Sequence, residues 1–379
     1  MQITQELWTA NQSPQVIAER GSCVAPQLVL AFAAPAQLRE PKIWLRLRER
    51  WPKAVLVGAS TAGEICGTRV LDDTLVATAL QFENSQMRCK KVSLADTTGS
   101  VQVGQRLAEQ LLAQDLIHVF VLSDGLKVNG SELVAGLTER LPPNVSVTGG
   151  LCGDGARFER THVCVDNFSA TECVVGIGLY GSSLRIGYGS LGGWDPFGPE
   201  RRVTRSEGNV LYELDGSPAL DLYEKYLGEH AAGLPASGLL FPLSVRKQLE
   251  DQGVVRTILA VNREARSLTF AGDLPIGYYA RLMRANFDRL LDGAAGAARI
   301  CYEALGGRAP DLAILISCVG RKLVLKQRIE EEVEGVQRVL GTQTVLTGFY
   351  SYGEISPFTP AAHCELHNQT MTITTISEN

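Results

Sequence analysis

The chain has 379 residues, of which 45% are hydrophobic and 20% are charged, a balance typical of globular proteins and not of disordered ones. Its formal net charge of -5, without a long basic run, argues against nucleic acid as a partner. No apolar run reaches the roughly 18 residues that a membrane-spanning helix needs, and the N-terminus lacks the pattern of a secretory signal. We therefore expect a cytoplasmic protein without membrane insertion, whose nine cysteines are reduced and mostly buried.

The first predicted unit follows a stretch, residues 1–25, that we interpret as irregular. The apolar run 28–32 predicts a buried strand, and Pro41 is suited to the start of a helix. A second strand ends in the stretch Gly58 to Ile65, which combines small residues with one acid. Residues 75–82 predict a further strand.

The same order of elements recurs twice. In the second copy, a strand at 117–122 and a helix capped by Ser131 lead to the looser stretch Gly149 to Asp154. In the third copy, a strand at 312–316 and a helix lead to Gly348 to Ile355. Helices between strands favour parallel pairs with right-handed crossovers. We therefore predict an α/β protein built from repeated strand, helix, strand, glycine-turn and strand units that form mixed sheets.

Residues 192–199 separate the second copy from the third and have the glycine- and proline-rich composition of a linker. We place the main boundary shortly after them, which gives an N-terminal region of residues 1–200 and a C-terminal region of residues 201–379. In open α/β sheets, ligands bind beyond the carboxyl ends of the strands. The glycine-rich stretches are predicted to lie at such ends.

Several motifs resemble the FIST (F-box and intracellular signal transduction) family of bacterial sensory proteins, and the resemblance covers nearly the whole chain. Ser60 to Glu64 is similar to the hallmark of the N-terminal region of that family. The C-terminal region is represented by Ser317 to Arg321, Gly348 to Ile355 and His367 to Thr370. The resemblance implies a non-enzymatic sensor of small molecules, with amino acids among the proposed ligands, that acts on a separate signalling protein. The resemblance is also consistent with a homodimer.

One branch of the family, the NosP type, binds haem, senses nitric oxide and works with a histidine kinase. Membership of this branch implies haem b as a cofactor. An imidazole is the usual axial ligand, and five histidines remain open for that role: His118, His162, His230, His363 and His367. The Cys318 thiolate is an alternative.

The candidate ligand-binding residues lie in the family motifs. An acid beside turn amides can bind an amino group while the amides bind a carboxylate. Arg321 can bind a carboxylate or haem propionate with two hydrogen bonds, or it can pair with one of the repeated acids. The full set is Ser60, Thr61, Glu64, Ser317, Cys318, Arg321, Tyr350, Tyr352, Glu354, His367 and Asn368.

Two further expectations concern the use of these residues. Because parallel strands of one unit end at the same edge of a sheet, residues 317–321 and 350–354 are predicted to build the pocket together. A hydrolase that uses Ser60, Thr61 or Cys318 as its nucleophile is the alternative to a sensor, although no base is recognisable near any of them.

Overall fold

The structure is a computed structural model of the chain, and it describes residues 1–9, 13–166, 171–251, 253–358 and 362–379. Its strands form three six-stranded sheets and one nine-stranded sheet. This mixed α/β architecture confirms the predicted fold class. None of the helices over the described ranges is long and apolar enough to cross a membrane.

The elements fall into three units and one insertion. Those of the first unit are β1 (Gln2–Trp8), β2 (Gln15–Arg20), β3 (Leu28–Ala33), α1 (Pro35–Leu38), α2 (Pro41–Arg50), β4 (Val55–Ser60), β5 (Glu64–Cys66), β6 (Arg69–Leu71) and β7 (Leu75–Gln81). Those of the second unit are β8 (Gln86–Ser93), a 3-10 helix (Leu94–Asp96), α3 (Ser100–Leu111), β9 (Leu116–Ser123), α4 (Gly130–Arg140), β10 (Ser146–Leu151), β11 (Val163–Val165) and β12 (Cys173–Tyr180).

The third unit begins with β13 (Leu184–Leu191), after which the insertion interrupts it. The insertion comprises β14 (Trp194–Pro196), β15 (Arg201–Glu207), β16 (Val210–Leu214), β17 (Ser217–Pro218), α5 (Ala219–Leu227), 3-10 helices at Gly228–Gly233 and Ala236–Leu240, β18 (Leu243–Arg246), β19 (Val254–Arg256), β20 (Ile258–Asn262), β21 (Ser267–Phe270) and β22 (Tyr279–Ala285). The unit then continues with α6 (Phe287–Ala304), β23 (Leu312–Cys318), α7 (Val319–Leu325), a 3-10 helix (Lys326–Arg328), α8 (Ile329–Leu340), β24 (Val345–Ser351), β25 (Gly353–Pro357), β26 (Cys364–His367) and β27 (Met371–Glu378).

The three six-stranded sheets share one strand order. Four strands of each unit lie side by side as β4-β3-β7-β1, β10-β9-β12-β8 and β24-β23-β27-β13. In every unit the helix-connected pair is parallel, as predicted, and the next strand is antiparallel to it. The repeat seen in the sequence is therefore a repeat of topology.

Each of these sheets is completed by a strand from another unit. The strand that follows a glycine-rich stretch leaves its own sheet: β5 pairs with β24, β11 pairs with β4, and β25 pairs with β10. The exchange closes a cycle among the three units. No unit therefore has a complete sheet without a strand from one of the other two.

The turns between the exchanged strands are joined by backbone hydrogen bonds. Each bond runs from an amide of one turn to a carbonyl at the end of the preceding unit's strand, and the three bonds are Ala62 N to Tyr350 O at 2.8 Å, Gly153 N to Ser60 O at 2.9 Å and Tyr352 N to Leu151 O at 3.1 Å. The donors occupy the same position in all three copies, and so do the acceptors. The repeated stretches thus form a closed ring of hydrogen bonds, which we call the turn ring.

Side chains alternate between the two faces of the strands, as the pleat requires. On β3, Leu28, Leu30 and Phe32 face an apolar cluster that contains residues of all three six-stranded sheets. Residues 29, 31 and 33 face the opposite side and pack with Trp44 of α2. The sheets therefore enclose a common core, and the helices cover their outer faces.

The insertion forms the nine-stranded sheet and has an apolar core of its own. The hydrogen bonds that attach it to the third unit include those that Trp194 Nε1 donates to Gln369 O at 2.8 Å and that Arg256 Nη1 donates to Leu366 O at 2.8 Å. The sequence-based boundary between residues 200 and 201 falls between β14 and β15 of this sheet, and it remains a prediction.

Three local expectations were wrong. Residues 1–25 are not irregular throughout, because β1 pairs with β7 and β2 pairs with β1. Ser217 does not cap α5, since Ser217–Pro218 pairs with β16 before the helix begins at Ala219. Residues 194–196 are a strand paired with β22 and not a free linker. In each case, pairing with another strand decided a segment whose local pattern was weak.

The first glycine of each repeated stretch lies within a strand and not in the turn, contrary to expectation. Gly149 and Gly348 have φ angles of +154° and +156°, and a Cβ there would lie 2.0 Å from Val121 O and 1.8 Å from Leu315 O. Only glycine permits this close approach between parallel neighbours.

Candidate functional site

The predicted pocket residues of the third unit do lie together. Ser317 pairs with Tyr350, and Cys318 pairs with Ser351, across the parallel strands β23 and β24. However, the side chains of this cluster are packed into the protein, with Ser317, Arg321, Tyr350 and Glu354 fully buried. Whether any of these residues contacts a ligand remains a prediction.

Arg321 has a complete set of partners inside the protein. Its guanidinium forms an ion pair with Glu332, a residue of α8, and donates hydrogen bonds to Gly192 O at 2.9 Å and Leu290 O at 2.6 Å. Glu332 also accepts hydrogen bonds from Ser317 Oγ at 2.9 Å and from the hydroxyl of Tyr350 at 3.0 Å. The acid that pairs with Arg321 is therefore Glu332 and not one of the repeated acids.

Glu64 and Glu354 perform the same structural task in two units. Glu354 accepts hydrogen bonds from Ser351 Oγ at 2.6 Å and from both the amide and the hydroxyl of Thr370, at 3.2 and 3.0 Å. Glu64 has the corresponding bonds with Thr61 and Thr74. Glu64 thus joins its turn to the start of β7, and Glu354 joins its turn to the start of β27.

Burial governs the protonation of these two acids. It raises the pKa of Glu64 to about 7 and that of Glu354 to about 8, although hydrogen bonds from the hydroxyl groups oppose the shift. Both side chains are almost fully buried. A neutral or readily neutralised carboxyl group surrounded by donors is suited to fastening strands together.

The second unit distributes this task differently. Asp154 closes its own loop by accepting hydrogen bonds from the amides of Phe158, Glu159 and Arg160, each at 2.9 Å. Instead, Asp124 accepts a hydrogen bond from the backbone amide of Glu172, the residue that precedes β12. In the sequence, Asp124 is recognisable only as part of a turn after β9, so its hydrogen bond to the amide of Glu172 was not predicted.

The candidate nucleophiles are held in unreactive surroundings. Ser60 Oγ accepts a hydrogen bond from the backbone amide of His162 at 2.8 Å, and Thr61 bonds to Glu64. Burial, together with the nearby Glu354 carboxyl group, raises the pKa of the Cys318 thiol, which disfavours the thiolate. All nine cysteines are free thiols, and six of them are buried.

The five histidines differ in accessibility. His118 is buried, with its ring nitrogens 2.7 Å from Ser146 Oγ and 3.0 Å from Thr148 Oγ1. His367 is buried beneath Phe358, and its Nε2 lies 2.7 Å from Ser356 O. His230 is exposed and packs on a phenylalanine. In the described part of the chain, no group of three or more His, Cys, Asp or Glu side chains is arranged to hold a metal ion.

His363 and His162 each line a cavity. His363 is exposed beside a cavity of about 500 Å³ whose wall includes Leu141, Pro142 and Val145. His162 is buried and lines a smaller, polar cavity of about 250 Å³.

Tyr352 and Asn368 lie near one another, and Tyr352 extends beyond the buried cluster. The side-chain Nδ2 of Asn368 donates to Tyr352 O at 3.4 Å. The Tyr352 hydroxyl donates to Asp154, and its ring stacks on Phe158 with a centroid separation of 4.4 Å. Tyr352 is the one predicted ligand-binding residue that also lines the cavity between the second unit and the insertion.

This space, which we call the joint cavity, has a volume of about 330 Å³. One side is formed by the loop 125–130, which leads from β9 into α4, together with Leu151, Phe158 and Tyr352. The insertion contributes Asn209, Leu259, Phe270, Ala271 and Gly272.

The polar groups around the joint cavity are held in place. Asp124 Oδ1 accepts from the amides of Leu126 and Lys127 at 2.9 and 2.8 Å, which shapes the loop. Asn129, and not Ser131 as expected, caps α4, and the Asn129 side-chain amide also donates to Asp273 of the insertion at 3.2 Å. The wall therefore combines apolar side chains with a few oriented polar groups, and both are components of ligand sites.

Family models match almost the whole chain. The FIST N domain matches residues 27–217, and the FIST C domain matches residues 219–357. A protein of Mycobacterium tuberculosis described as uncharacterized is 25% identical over 331 residues, which cover 84% of this chain and 82% of that protein.

A second relative, from Methanocaldococcus jannaschii and also described as uncharacterized, is 25% identical over 197 residues, or 48% of this chain; the match spans only 37% of the relative's length. Among solved structures, the crystal structure of a cyanuric acid hydrolase from A. caulinodans covers 78% of this chain and 99% of its own at 9% identity. Its TM-score of 0.18 is too low to relate the two folds.

FIST domains are associated with the sensing of small ligands in signal transduction. Together the two family models cover far more than half of the residues. The chain therefore belongs to the FIST family, with its N domain ahead of its C domain.

Proposed function

We propose that this protein is a cytoplasmic, non-enzymatic sensory module that binds a small organic metabolite in the joint cavity and acts on a separate signalling protein, such as a histidine kinase. The observation that carries the proposal is the position of the cavity. Its walls come from two parts of the chain, the ring of three units and the inserted sheet. A ligand that contacts both parts can favour one arrangement of them over another.

The size and lining of the cavity favour an amino acid with an apolar side chain. A volume of about 330 Å³ lies at the small end of the roughly 300–1,000 Å³ typical of ligand pockets. Leu126, Val128 and Phe270 provide an apolar wall. Lys127, which lines the cavity, can attract the carboxylate of such a ligand.

The surroundings of the candidate nucleophiles support a sensor over a hydrolase. Ser60, Thr61 and Cys318 are each at most 2% exposed. Ser60 and Thr61 are engaged in hydrogen bonds that hold the turns together. A substrate would have to displace these bonds before it reached either hydroxyl group.

The test is to fill the joint cavity. Ala271→Leu places a larger side chain in it, while Ala260→Leu on the exposed face of β20 is the matched control. We expect an amino acid from the proteinogenic set to raise the melting temperature of the wild type and of the control, but not of Ala271→Leu. Equal binding by all three proteins would place the ligand elsewhere.

Haem is the second candidate ligand, and the residues around His363 suit it best. This imidazole is exposed beside a cavity of about 500 Å³, twice the volume of the cavity beside His162, and an imidazole is the usual axial ligand. Haem bound there would supply the site for nitric oxide. Cys318 suits that role poorly, since it is 2% exposed.

Titration with haemin followed by absorption spectroscopy distinguishes the two ligands. A saturable Soret band that is lost in His363→Ala, but kept in the exposed control His230→Ala, would support haem and nitric oxide sensing. A spectrum of free haemin at every ratio would leave the metabolite sensor as the function.

A further inference from the structure

The smaller cavity around His162 has the features of a second ligand site. It lies where the loop after β3 meets the segment 154–162 of the second unit, and its volume is about 250 Å³. Charged side chains dominate its lining, which comprises Arg39, Asp73, Asp154, Arg157, Glu159, Arg160 and His162, with residues 34–36. We call it the arginine cavity.

His162 forms the buried part of this lining, and its ring lacks partners. The residue is 2% exposed, yet neither Nδ1 nor Nε2 has a hydrogen bond in the described structure. Its backbone is firmly held, because its amide donates to Ser60 Oγ at 2.8 Å and its carbonyl accepts from Ser60 N at 2.9 Å. Buried polar groups are nearly always hydrogen-bonded. An unpartnered imidazole in a cavity wall therefore indicates that a bound molecule completes it.

The three arginines around the cavity are also uncommitted. Over the described ranges, no ion pair and no side-chain hydrogen bond engages Arg39, Arg157 or Arg160, all of which are exposed. Burial, with Arg160 and Arg39 nearby, lowers the pKa of His162, so the imidazole is neutral and retains one N–H donor. The cavity thus combines guanidinium donors with a neutral imidazole.

The segment that carries two of these arginines is preorganised. Asp154 accepts hydrogen bonds from the amides of Phe158, Glu159 and Arg160. These bonds fix the backbone on which Arg157 and Arg160 stand, so that little ordering of the chain is needed when an anion binds.

Acidic side chains limit the charge of the ligand. Asp73 and Glu159 are exposed and line the same cavity without a side-chain partner among the described residues. They oppose the entry of a doubly charged anion such as phosphate, since like charges repel. A single negative charge on a planar group matches the guanidinium geometry better.

We propose that the arginine cavity binds a small organic monocarboxylate, whose carboxylate accepts hydrogen bonds from an arginine at the rim and from the N–H of His162. The small volume restricts the ligand to a short acid. This site does not depend on the function proposed for the joint cavity, because the two cavities have no lining residue in common.

Propionate is the probe, and binding is measured by calorimetry and by the NMR resonances of the histidine ring. We expect saturable binding that shifts the His162 resonances and that weakens about ten- to hundredfold in Arg160→Gln, the loss expected for one charge-assisted hydrogen bond. Arg299→Gln, an exposed arginine of α6, is the matched control and should bind as the wild type does. Glu159→Gln should bind propionate more tightly.

Three results would overturn the proposal. The first is no saturable binding of propionate to the wild type, and the second is equal affinity in Arg160→Gln and the control. The third is binding of alanine without binding of propionate, which would indicate a site for zwitterions. Because Arg160 is exposed, its substitution is expected to leave the fold intact, which keeps the comparison with the control valid.

Discussion

The cluster around Arg321 and the arginine cavity are two polar regions at the carboxyl ends of strands, and they differ in how their hydrogen bonds are satisfied. In the cluster, Arg321 and Glu354 are fully buried and bonded to other protein groups. In the arginine cavity, a buried imidazole and three guanidinium groups lack partners in the described structure. The first pattern is that of a structural network, and the second is that of a binding site.

The comparison distinguishes polar motifs that hold the fold together from polar motifs that are candidates for binding a ligand. Glu64 and Glu354 recur in the sequence because two units need the same bond between a turn and a third strand. His162 and Arg160 have no counterpart in the other units, and they lie on the part of the second turn that departs from the repeat. In this protein, repetition indicates folding and its absence indicates a candidate function.

The largest effect is expected from Arg321→Ala. Removing the guanidinium leaves Glu332 buried without its counterion, which typically costs about 3–5 kcal/mol of unfolding free energy. Urea denaturation measures it. The double variant Arg321→Met, Glu332→Leu should recover part of the loss because no charge remains buried. If Arg321→Ala kept wild-type stability but bound ligand more weakly, Arg321 would be a ligand-binding residue and not a structural one.

Tyr352→Phe is expected to have the next largest effect. Its hydroxyl group donates to Asp154 and accepts from the amide of Phe158 at 3.3 Å. Losing a bond to a charged group typically costs about 1.5–3 kcal/mol, and amide exchange in residues 154–160 should accelerate. Tyr278→Phe is the control, since no hydrogen bond of its hydroxyl group is found over the described residues. Unchanged exchange in the segment would show that Asp154 holds it alone.

The pH dependence of stability tests the role of Glu354. Burial raises the pKa of Glu354 to about 8 in the folded protein, whereas the ordinary value of 4.5 applies to the unfolded chain. The folded state therefore binds the proton more tightly. The unfolding free energy should therefore fall as pH rises from about 4.5 to 8, by at most about 1.4 kcal/mol per pH unit from this group. Glu354→Gln, which mimics the neutral acid, should flatten the curve. Parallel curves for the two proteins would mean that Glu354 is ionised when folded.

The smallest effect is expected at the arginine cavity. Arg160→Gln removes an exposed side chain without a partner over the described ranges, so stability should change by no more than about 0.5 kcal/mol. Thermal and urea unfolding give the stability of this variant, which is compared with that of Arg321→Ala. A loss comparable to that of Arg321→Ala would show that Arg160 is structural, and the contrast between the two regions would disappear.

The sequence alone determined the repeated units, the parallel strand pairs and the family. Alternation and apolar runs predict strands because burial on a pleated sheet imposes those patterns. These signals lie within a few residues of one another, so they can be recognised without the fold.

The tertiary structure decided which polar groups are satisfied. Glu332 reaches Arg321 from the next helix, Asp124 rather than Asp154 bonds to the third strand of its unit, and β5 pairs with β24 across the chain. The pairing of β5 with β24 is part of the closed exchange of strands among the three units. The same exchange brings the loop after β3 beside the segment 154–162. Sequence spacing carries no record of such long-range proximity, because burial and hydrogen bonding are properties of the assembled fold.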